Sequence, residues 1–144
     1  MNRKGFTLVE ILIVVIILGI LAAIVIPQFS EASNDARTSA LNSDWQAATA
    51  QIELYRMQHN GHYPGSDYTS GSAVAVADWR LQLTSKTDVY GKVDASGKYG
   101  PYLSEFPSNP FVSDAAKAQA VTGGAGDGWA YVEATGKLTR NVTQ

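Results

Sequence analysis

The sequence predicts an α+β protein in which a long N-terminal helix packs on a small antiparallel β-sheet. Three features predict this fold: a continuous apolar run near the N-terminus, an amphipathic helical stretch directly after it, and two strand-like segments around a glycine turn near the C-terminus. We expect the first half of the helix to span a membrane and the amphipathic second half to pack on the sheet.

Composition excludes several classes of function. The chain has 144 residues, a formal charge of −2 and no cysteine. Its length suits one domain, and its charge provides no basic footprint for nucleic acid. Without cysteine there is no disulfide framework, no thiolate metal site and no cysteine nucleophile.

The apolar run is long enough to cross a bilayer. Residues 11–26 contain no polar side chain, and residues 6–29 form a segment of 24 residues. As a helix this segment would be about 36 Å long, more than the roughly 30 Å of a hydrocarbon core. Arg3 and Lys4 precede the run and the next basic residue is Arg37. This asymmetry predicts a cytoplasmic N-terminus.

Glu10 is the first candidate functional residue. A carboxylate near the start of a membrane span costs about 2.5–3.5 kcal/mol, so it is a functional candidate by default. A cleaved secretory signal peptide has a shorter apolar stretch, and a plain signal anchor remains an alternative. Neither alternative explains Glu10.

The residues around Glu10 resemble the N-terminus of the type IV pilin superfamily, which covers type IV pilins and the pseudopilins of type II secretion. The resemblance runs through residues 4–10, Lys-Gly-Phe-Thr-Leu-Val-Glu, the apolar run and Pro27. It implies that a prepilin peptidase cuts between Gly5 and Phe6 and methylates the new Phe6 amine. The resulting organisation is a cleaved leader at 1–5, a transmembrane and filament-core helix at 6–29, and a periplasmic head at 30–144.

The same resemblance implies that the subunit polymerises. In a filament core the Phe6 amine and the Glu10 carboxylate would both leave water, and an unpaired buried charge is strongly unfavourable. We expect Glu10 of one subunit to pair with the Phe6 amine of its neighbour; a pair within one chain is the alternative. Gly19 and Pro27 interrupt the apolar segment, and Pro27 predicts at least a kink. The resemblance implies that residues 19–27 unwind when the subunit enters the filament.

The helix is predicted to continue beyond the membrane to about Gln58. No proline or glycine occurs from Ser30 to that point. Apolar residues recur there at helical spacing, and these are Leu41, Trp45, Ala48, Ile52 and Tyr55. Asn60 and Gly61 are expected to end the helix. If it is continuous, the helix covers residues 6–59.

Local patterns in the remainder predict one short helix and a hairpin. Residues 73–86 place Val76, Trp79 and Leu83 at helical spacing. Residues 128–133 and 137–142 read as strands around a three-residue loop at 134–136. The glycine-rich residues 123–126 lack a following Lys-Ser/Thr and read as a turn rather than a phosphate loop. The aromatic residues expected in the core are Trp45, Tyr55, Trp79, Trp129 and Tyr131.

Weaker resemblances extend into the head. Residues 55–64 are similar to the helix-to-loop junction of major pseudopilins. Residues 100–103 with 106–110 are similar to their Tyr-Leu…Leu-Pro…Asp-Pro segment, and residues 128–136 to the terminal hairpin of many pseudopilin-like chains. The absence of cysteine favours the pseudopilin branch, because many type IV pilins carry a disulfide-bounded loop. The Asp-rich calcium loop of major pseudopilins is not recognisable.

No catalytic, metal or cofactor site is predicted. His59 and His62 are not expected to bind a metal, because a glycine between them breaks the helix that would align them as ligands. Both are expected to be exposed at a loop edge. Asp114 and Asp127 could offer oxygens to calcium, which takes about 6–8 ligands, but solvated loop carboxylates are the expectation. Serine, histidine and aspartate form no recognisable catalytic motif.

The resemblance therefore predicts a structural subunit of a periplasmic pseudopilus that drives type II protein secretion. A type IV pilin serving adhesion, twitching motility or DNA uptake is one alternative, and a membrane-anchored periplasmic binding domain that never assembles is another. The implied partners are further copies of the chain, other pilins or pseudopilins, the prepilin peptidase, an inner-membrane platform with its ATPase, and the lipid bilayer. No specific nucleic acid is expected. The implied location is the bacterial inner membrane in a single pass, with filaments in the periplasm or on the cell surface.

Overall fold

A computed structural model describes most of the chain and divides it into two compact units. The described residues are 5–67, 74–75, 78–114, 117, 119 and 127–141. The units are Met1–Thr38 and Ser39–Gln144. A single α-helix, α1 at Leu8–Gln58, contributes to both. The predicted long helix is confirmed, and it begins two residues later and ends one residue earlier than expected.

The N-terminal unit exposes apolar side chains on all sides of α1. Phe6 retains 85% of its accessible surface and Phe29 retains 73%. By length and composition α1 could cross a membrane, and no other described helix meets that test. Pro27 lies inside α1 and does not end it. A helix that is apolar all round requires lipid or protein around it.

After α1 the C-terminal unit contains, in its described part, two short antiparallel ribbons and a short helix. Strand β1 (Ser66–Asp67) pairs with β2 (Val74–Ala75), and α2 covers Arg80–Thr84. Strand β3 (Trp129–Val132) pairs with β4 (Lys137–Arg140), with Trp129 opposite Arg140. The α+β class is confirmed, and within the described residues the strands form two separate two-stranded sheets.

The amphipathic stripe of α1 is the helical wall of the hydrophobic core. Its buried members are Leu41, Ala48, Ile52 and Tyr55. They pack with Trp129 and Leu138 of the terminal ribbon. Trp45 is half-buried, and its Nε1 donates a hydrogen bond to the Leu138 carbonyl oxygen at 2.8 Å. The stripe therefore has its packing partner within this chain.

Aromatic rings fill the space between α2 and the terminal ribbon. The Trp79 ring stacks on Tyr131 with centroids 3.9 Å apart, and Phe106 meets both Trp79 and Trp129 edge to face. The Tyr131 hydroxyl donates to the Pro64 carbonyl oxygen at 2.8 Å, which supplies a polar partner for this partly buried tyrosine. The prediction that these aromatic residues form core, rather than a ligand platform, agrees with these contacts.

Two local predictions were wrong in their bounds. The short helix begins at Arg80 rather than in the low seventies, because the Asp78 carboxylate accepts the Arg80 backbone N–H and the preceding Val74–Ala75 pairs as a strand. The terminal turn has four residues between its strands rather than three, with Gly136 at φ 64°. Val76 and residues 123–126 lie outside the described part of the chain.

Gly136 provides a stability test with a matched control. A Cβ at Gly136 would overlap the Tyr63 ring, whereas a Cβ at Gly61 would meet nothing within 4 Å. Both glycines have positive φ, so alanine at either position incurs the left-handed penalty of about 1–2 kcal/mol. We expect Gly136→Ala to lower the free energy of unfolding by about 1–3 kcal/mol more than Gly61→Ala, because Tyr63 must also move. Chemical denaturation of both variants in detergent checks this, and equal losses would contradict it.

Candidate functional site

Thr7 and Glu10 form a reciprocal hydrogen-bonded pair at the start of α1. The Thr7 backbone N–H and the Thr7 hydroxyl both donate to Oε2 of Glu10 at 2.8 Å. In return, the Thr7 Oγ1 accepts the Glu10 backbone N–H at 3.2 Å. This arrangement is a capping box, in which two helix-terminal donors are satisfied by side chains three residues apart. A cap of this kind stabilises a helix start by about 0.5–2 kcal/mol.

The capping box gives Glu10 a partner inside its own chain. That partner is Thr7, whereas the only partner predicted from the sequence is the Phe6 amine. Thr7 is therefore a residue that sequence reasoning missed, although the signal was present. The pattern Thr-x-x-Glu directly before an apolar run is the known signature of a capping box.

The predicted cleavage point lies in open, non-helical chain. Gly5 and Phe6 precede α1, and both are exposed. A Cβ added at Gly5 would meet no atom within 4 Å, and the same holds at Gly19. An enzyme could reach the Gly5–Phe6 bond without disturbing any packed contact of the described residues.

The amino-acid sequence matches known proteins over the same region and beyond it. Residues 1–26 match the family described as the prokaryotic N-terminal methylation motif. The type II secretion system core protein G of Pseudomonas aeruginosa is 33% identical over 114 residues, which cover 76% of this chain and 80% of that protein. The similarity therefore extends well beyond the apolar helix into the C-terminal unit. The chain belongs to the type IV pilin superfamily.

Relatives from both branches of the superfamily are found. The core protein G of Klebsiella pneumoniae is 26% identical over 113 residues, covering 78% of this chain and 72% of that protein. The type IV narrow pilus major component PilA5 of Thermus thermophilus is 36% identical over 84 residues, covering 49% of this chain and 72% of that protein. No solved structure matches.

The residues predicted to act in this superfamily occupy one continuous stretch of chain. Gly5 and Phe6 lie side by side before α1, and Glu10 lies in its first turn. Gly19 and Pro27 lie further along the same helix, and both residues are in helical conformation. The structure brings Glu10 together with Thr7 and leaves the apolar surface around it exposed.

Two predictions about polar residues of the C-terminal unit were wrong. His59 is not exposed, because its ring packs flat on Tyr55 and only 1% of its surface is accessible. Asp127 is not a solvated loop carboxylate, since it retains only 9% of its surface next to β3. Asp114 is exposed as expected. Among the described residues no group of three or more histidine, aspartate or glutamate side chains could hold a metal ion.

Proposed function

We propose that the protein is a pilin-like structural subunit that polymerises into a periplasmic pseudopilus and so drives type II protein secretion. The observation that carries the proposal is the N-terminal unit: an apolar helix exposed on all sides, with a single carboxylate in its first turn. In a simple membrane anchor the capping box would return only about 0.5–2 kcal/mol, which is less than the roughly 2.5–3.5 kcal/mol that insertion of the carboxylate costs. The similarity to core protein G over most of the chain supports the same role.

Processing is the first step of the proposed function. A prepilin peptidase removes residues 1–5 and methylates the Phe6 amine, while the apolar helix stays attached. The match of residues 1–26 to the N-terminal methylation motif supports this step. Gly5 and Phe6 lie in exposed, non-helical chain, which leaves room for the peptidase at the bond between them.

Assembly uses the charge that processing creates. Cleavage turns the Phe6 nitrogen into a cationic amine, and methylation leaves that charge in place. In the filament this amine meets Glu10 of a neighbouring subunit, so that neither charge is buried alone. Glu10 thus exchanges its bonds to Thr7 for a contact with the next subunit. Residues 19–27 supply the flexible part of the helix, because Gly19 and Pro27 both weaken helical structure.

The proposed setting is the bacterial inner membrane, with the N-terminus in the cytoplasm and residues 30–144 in the periplasm. The proposed partners are other copies of the chain, other pilins or pseudopilins, the prepilin peptidase, and an assembly platform with its ATPase. The role is mechanical rather than enzymatic. Each of these statements rests on membership of the superfamily and on the membrane-length apolar helix.

A type IV pilin is the second candidate. Two pilus components of Thermus thermophilus are each 36% identical to parts of the chain, and one of them is matched over 66% of this chain. That protein is named a wide pilus major component. The two candidates share processing and assembly and differ in the machine that the filament serves.

The proposal is tested by expressing the full chain with a prepilin peptidase and a type II assembly platform. We expect intact-mass measurement to show a chain that begins at Phe6 and carries one added methyl group. Electron microscopy should show filaments that require the platform ATPase. A membrane-resident chain that still begins at Met1, or one cut after Ser30, would overturn the assignment. Filaments formed only with a type IV pilus platform would favour the second candidate.

A further inference from the structure

His59 is a buried ionisable group that the proposed function does not use. It directly follows α1, and 1% of its surface is exposed. Its imidazole stacks on the Tyr55 ring with centroids 3.7 Å apart and planes 8° apart. Tyr99 and Tyr102 meet the imidazole edge to face, with ring centroids 5.3 and 6.2 Å from that of His59.

Both ring nitrogens of His59 are hydrogen-bonded. Nδ1 lies 2.8 Å from the Tyr55 carbonyl oxygen, and Nε2 lies 2.9 Å from the Thr87 Oγ1. A carbonyl oxygen only accepts, so the proton of the neutral ring sits on Nδ1, and Nε2 accepts from the Thr87 hydroxyl. The neutral imidazole therefore satisfies both of its partners. A proton added at Nε2 would reverse this bond, so that the Thr87 oxygen accepts and its own hydroxyl hydrogen must find another acceptor, and it would place a charge in a buried site.

Thr87 is the centre of a small folded segment, residues 85–99. It forms bridges to Val93 on one side and to Tyr99 on the other. The Gln82 side chain provides a second buried attachment, because its Nε2 donates to the Gly91 carbonyl oxygen at 2.6 Å. The segment itself is largely exposed, and it displays Tyr90 to solvent. His59 and Gln82 are thus two side chains that hold this segment from beneath.

The charged and titratable groups around His59 do not cancel the effect of burial on its pKa. Burial lowers the pKa of His59, the Tyr55 carbonyl and Asp88 oppose that effect, and the nearby His62 adds to it. The remaining neighbours are tyrosines, and burial raises the pKa of Tyr102 to about 12, so its hydroxyl remains neutral. Among the described residues Asp88 is thus the acidic side chain that acts on the pKa of His59, and the net direction is still downward.

We propose that His59 is a pH-dependent anchor, which holds residues 85–99 against the end of α1 while it is neutral and releases them when it is protonated. The geometry carries this inference: a ring sealed by three tyrosines, with one nitrogen fixed to its own helix and the other to the centre of the segment. The surface that residues 85–99 present would then differ between neutral and acidic surroundings. The inference does not depend on filament assembly.

The direction of the pH dependence follows from linkage. The closed form favours neutral His59, and the released form has the ordinary pKa of 6.5. The attachment is therefore at full strength above pH 6.5 and weakens as the pH falls toward the lowered pKa of the closed form. Within that window the population of the released form rises by up to about tenfold for each pH unit.

Hydrogen exchange of the full chain in detergent micelles tests the proposal. Exchange is followed by mass spectrometry at pH 7.5 and pH 5.5, with exchange times scaled for the intrinsic effect of pH, and residues 129–140 serve as the internal reference. In the wild-type chain we expect exchange in residues 85–99 to become about three- to tenfold faster at pH 5.5 relative to that reference. No change, or an equal change in the reference, would overturn the proposal.

Two substitutions remove the titration in different ways. His59→Gln keeps a polar side chain, and His59→Phe keeps a ring that can stack on Tyr55. We expect both to abolish the pH-dependent part of the exchange, whatever their overall stability. His62→Gln is the matched control, because His62 is the other histidine of the chain and the smallest of the effects on the pKa of His59, and it should keep most of the pH response. A pH response that persists in His59→Phe, or disappears in His62→Gln, would overturn the proposal.

The wild-type chain offers a direct measurement that requires no variant at position 59. Since the chain has two histidines, the imidazole signals in a nuclear magnetic resonance titration can be assigned with His62→Gln alone. We expect the His59 signal to titrate below pH 6.5. A midpoint at or above 6.5 would show that the fold does not disfavour the charged ring, and the anchor would have to be abandoned.

Discussion

Replacing Glu10 by glutamine or alanine is expected to leave a subunit that is cleaved and resident in the membrane but forms few or no filaments. With the proposed contact, each variant would leave the incoming Phe6 amine without a counter-charge in a filament core that excludes water. Removing one partner of a buried ion pair costs about 3–5 kcal/mol, which corresponds to more than a hundredfold weaker association at each contact. Filaments counted by electron microscopy, together with the amount of processed subunit in the membrane, measure the effect.

The capping box at Thr7 supplies the control for this experiment. Thr7→Val removes the hydroxyl that bonds to Glu10 but keeps the carboxylate and the β-branched shape. If Glu10 acts only as a helix cap, Thr7→Val should lose a substantial part of the filaments, because only the backbone N–H bond to the carboxylate remains. If Glu10 meets the neighbouring amine, Thr7→Val should retain most of them.

Coexpressed wild-type subunits should partly rescue Glu10→Gln, because their carboxylates can still meet the amine of the variant. Normal filaments from Glu10→Ala alone would refute the proposed contact.

A bulky side chain at Gly5 should block processing completely. In Gly5→Leu we expect the leader to stay attached, so that the intact mass includes residues 1–5 and lacks the added methyl group. Without cleavage there is no charged Phe6 amine, and filaments should be absent as well. The substitution should not unfold the protein, because a Cβ at this position meets nothing within 4 Å.

Gly5→Ala is the matched control for the processing experiment. Its single methyl group adds little bulk beside the scissile bond, so it should be cleaved to a far greater extent than Gly5→Leu. Circular dichroism of both variants in detergent should be the same as that of the wild type. A Gly5→Leu chain that begins at Phe6 would show that the cut does not depend on a small residue at position 5.

Features set by short stretches of sequence were predictable. The apolar run and its extent follow from consecutive side chains, and the amphipathic stripe from Leu41 to Tyr55 follows from helical spacing, so the order of residues is enough to derive the long helix. The terminal ribbon follows from alternating residues around Gly136. In each case the pattern and the element lie within the same few turns or residues, and no distant contact is required to define them.

Local sequence patterns predicted secondary structure less well where a residue pairs with a segment outside the pattern. The helical spacing of Trp79 and Leu83 correctly indicates a short helix nearby. Val74–Ala75, which was predicted to belong to that helix, forms a strand because Ser66–Asp67 pairs with it. Thr7 is a different case, because the local pattern Thr-x-x-Glu before an apolar run indicates its capping role without any distant contact.

The sequence by itself determined the membrane-length helix, the amphipathic stripe and the family to which the chain belongs, because these depend on the order and spacing of side chains. Only the tertiary structure decided the environment of His59. A histidine next to Asn60 and Gly61 reads as an exposed residue at the end of a helix. Its burial requires Thr87 and the rings of Tyr99 and Tyr102, which lie 28 to 43 positions further along the chain. Burial and the direction of a pKa shift are properties of such distant neighbours, and a local pattern does not contain them.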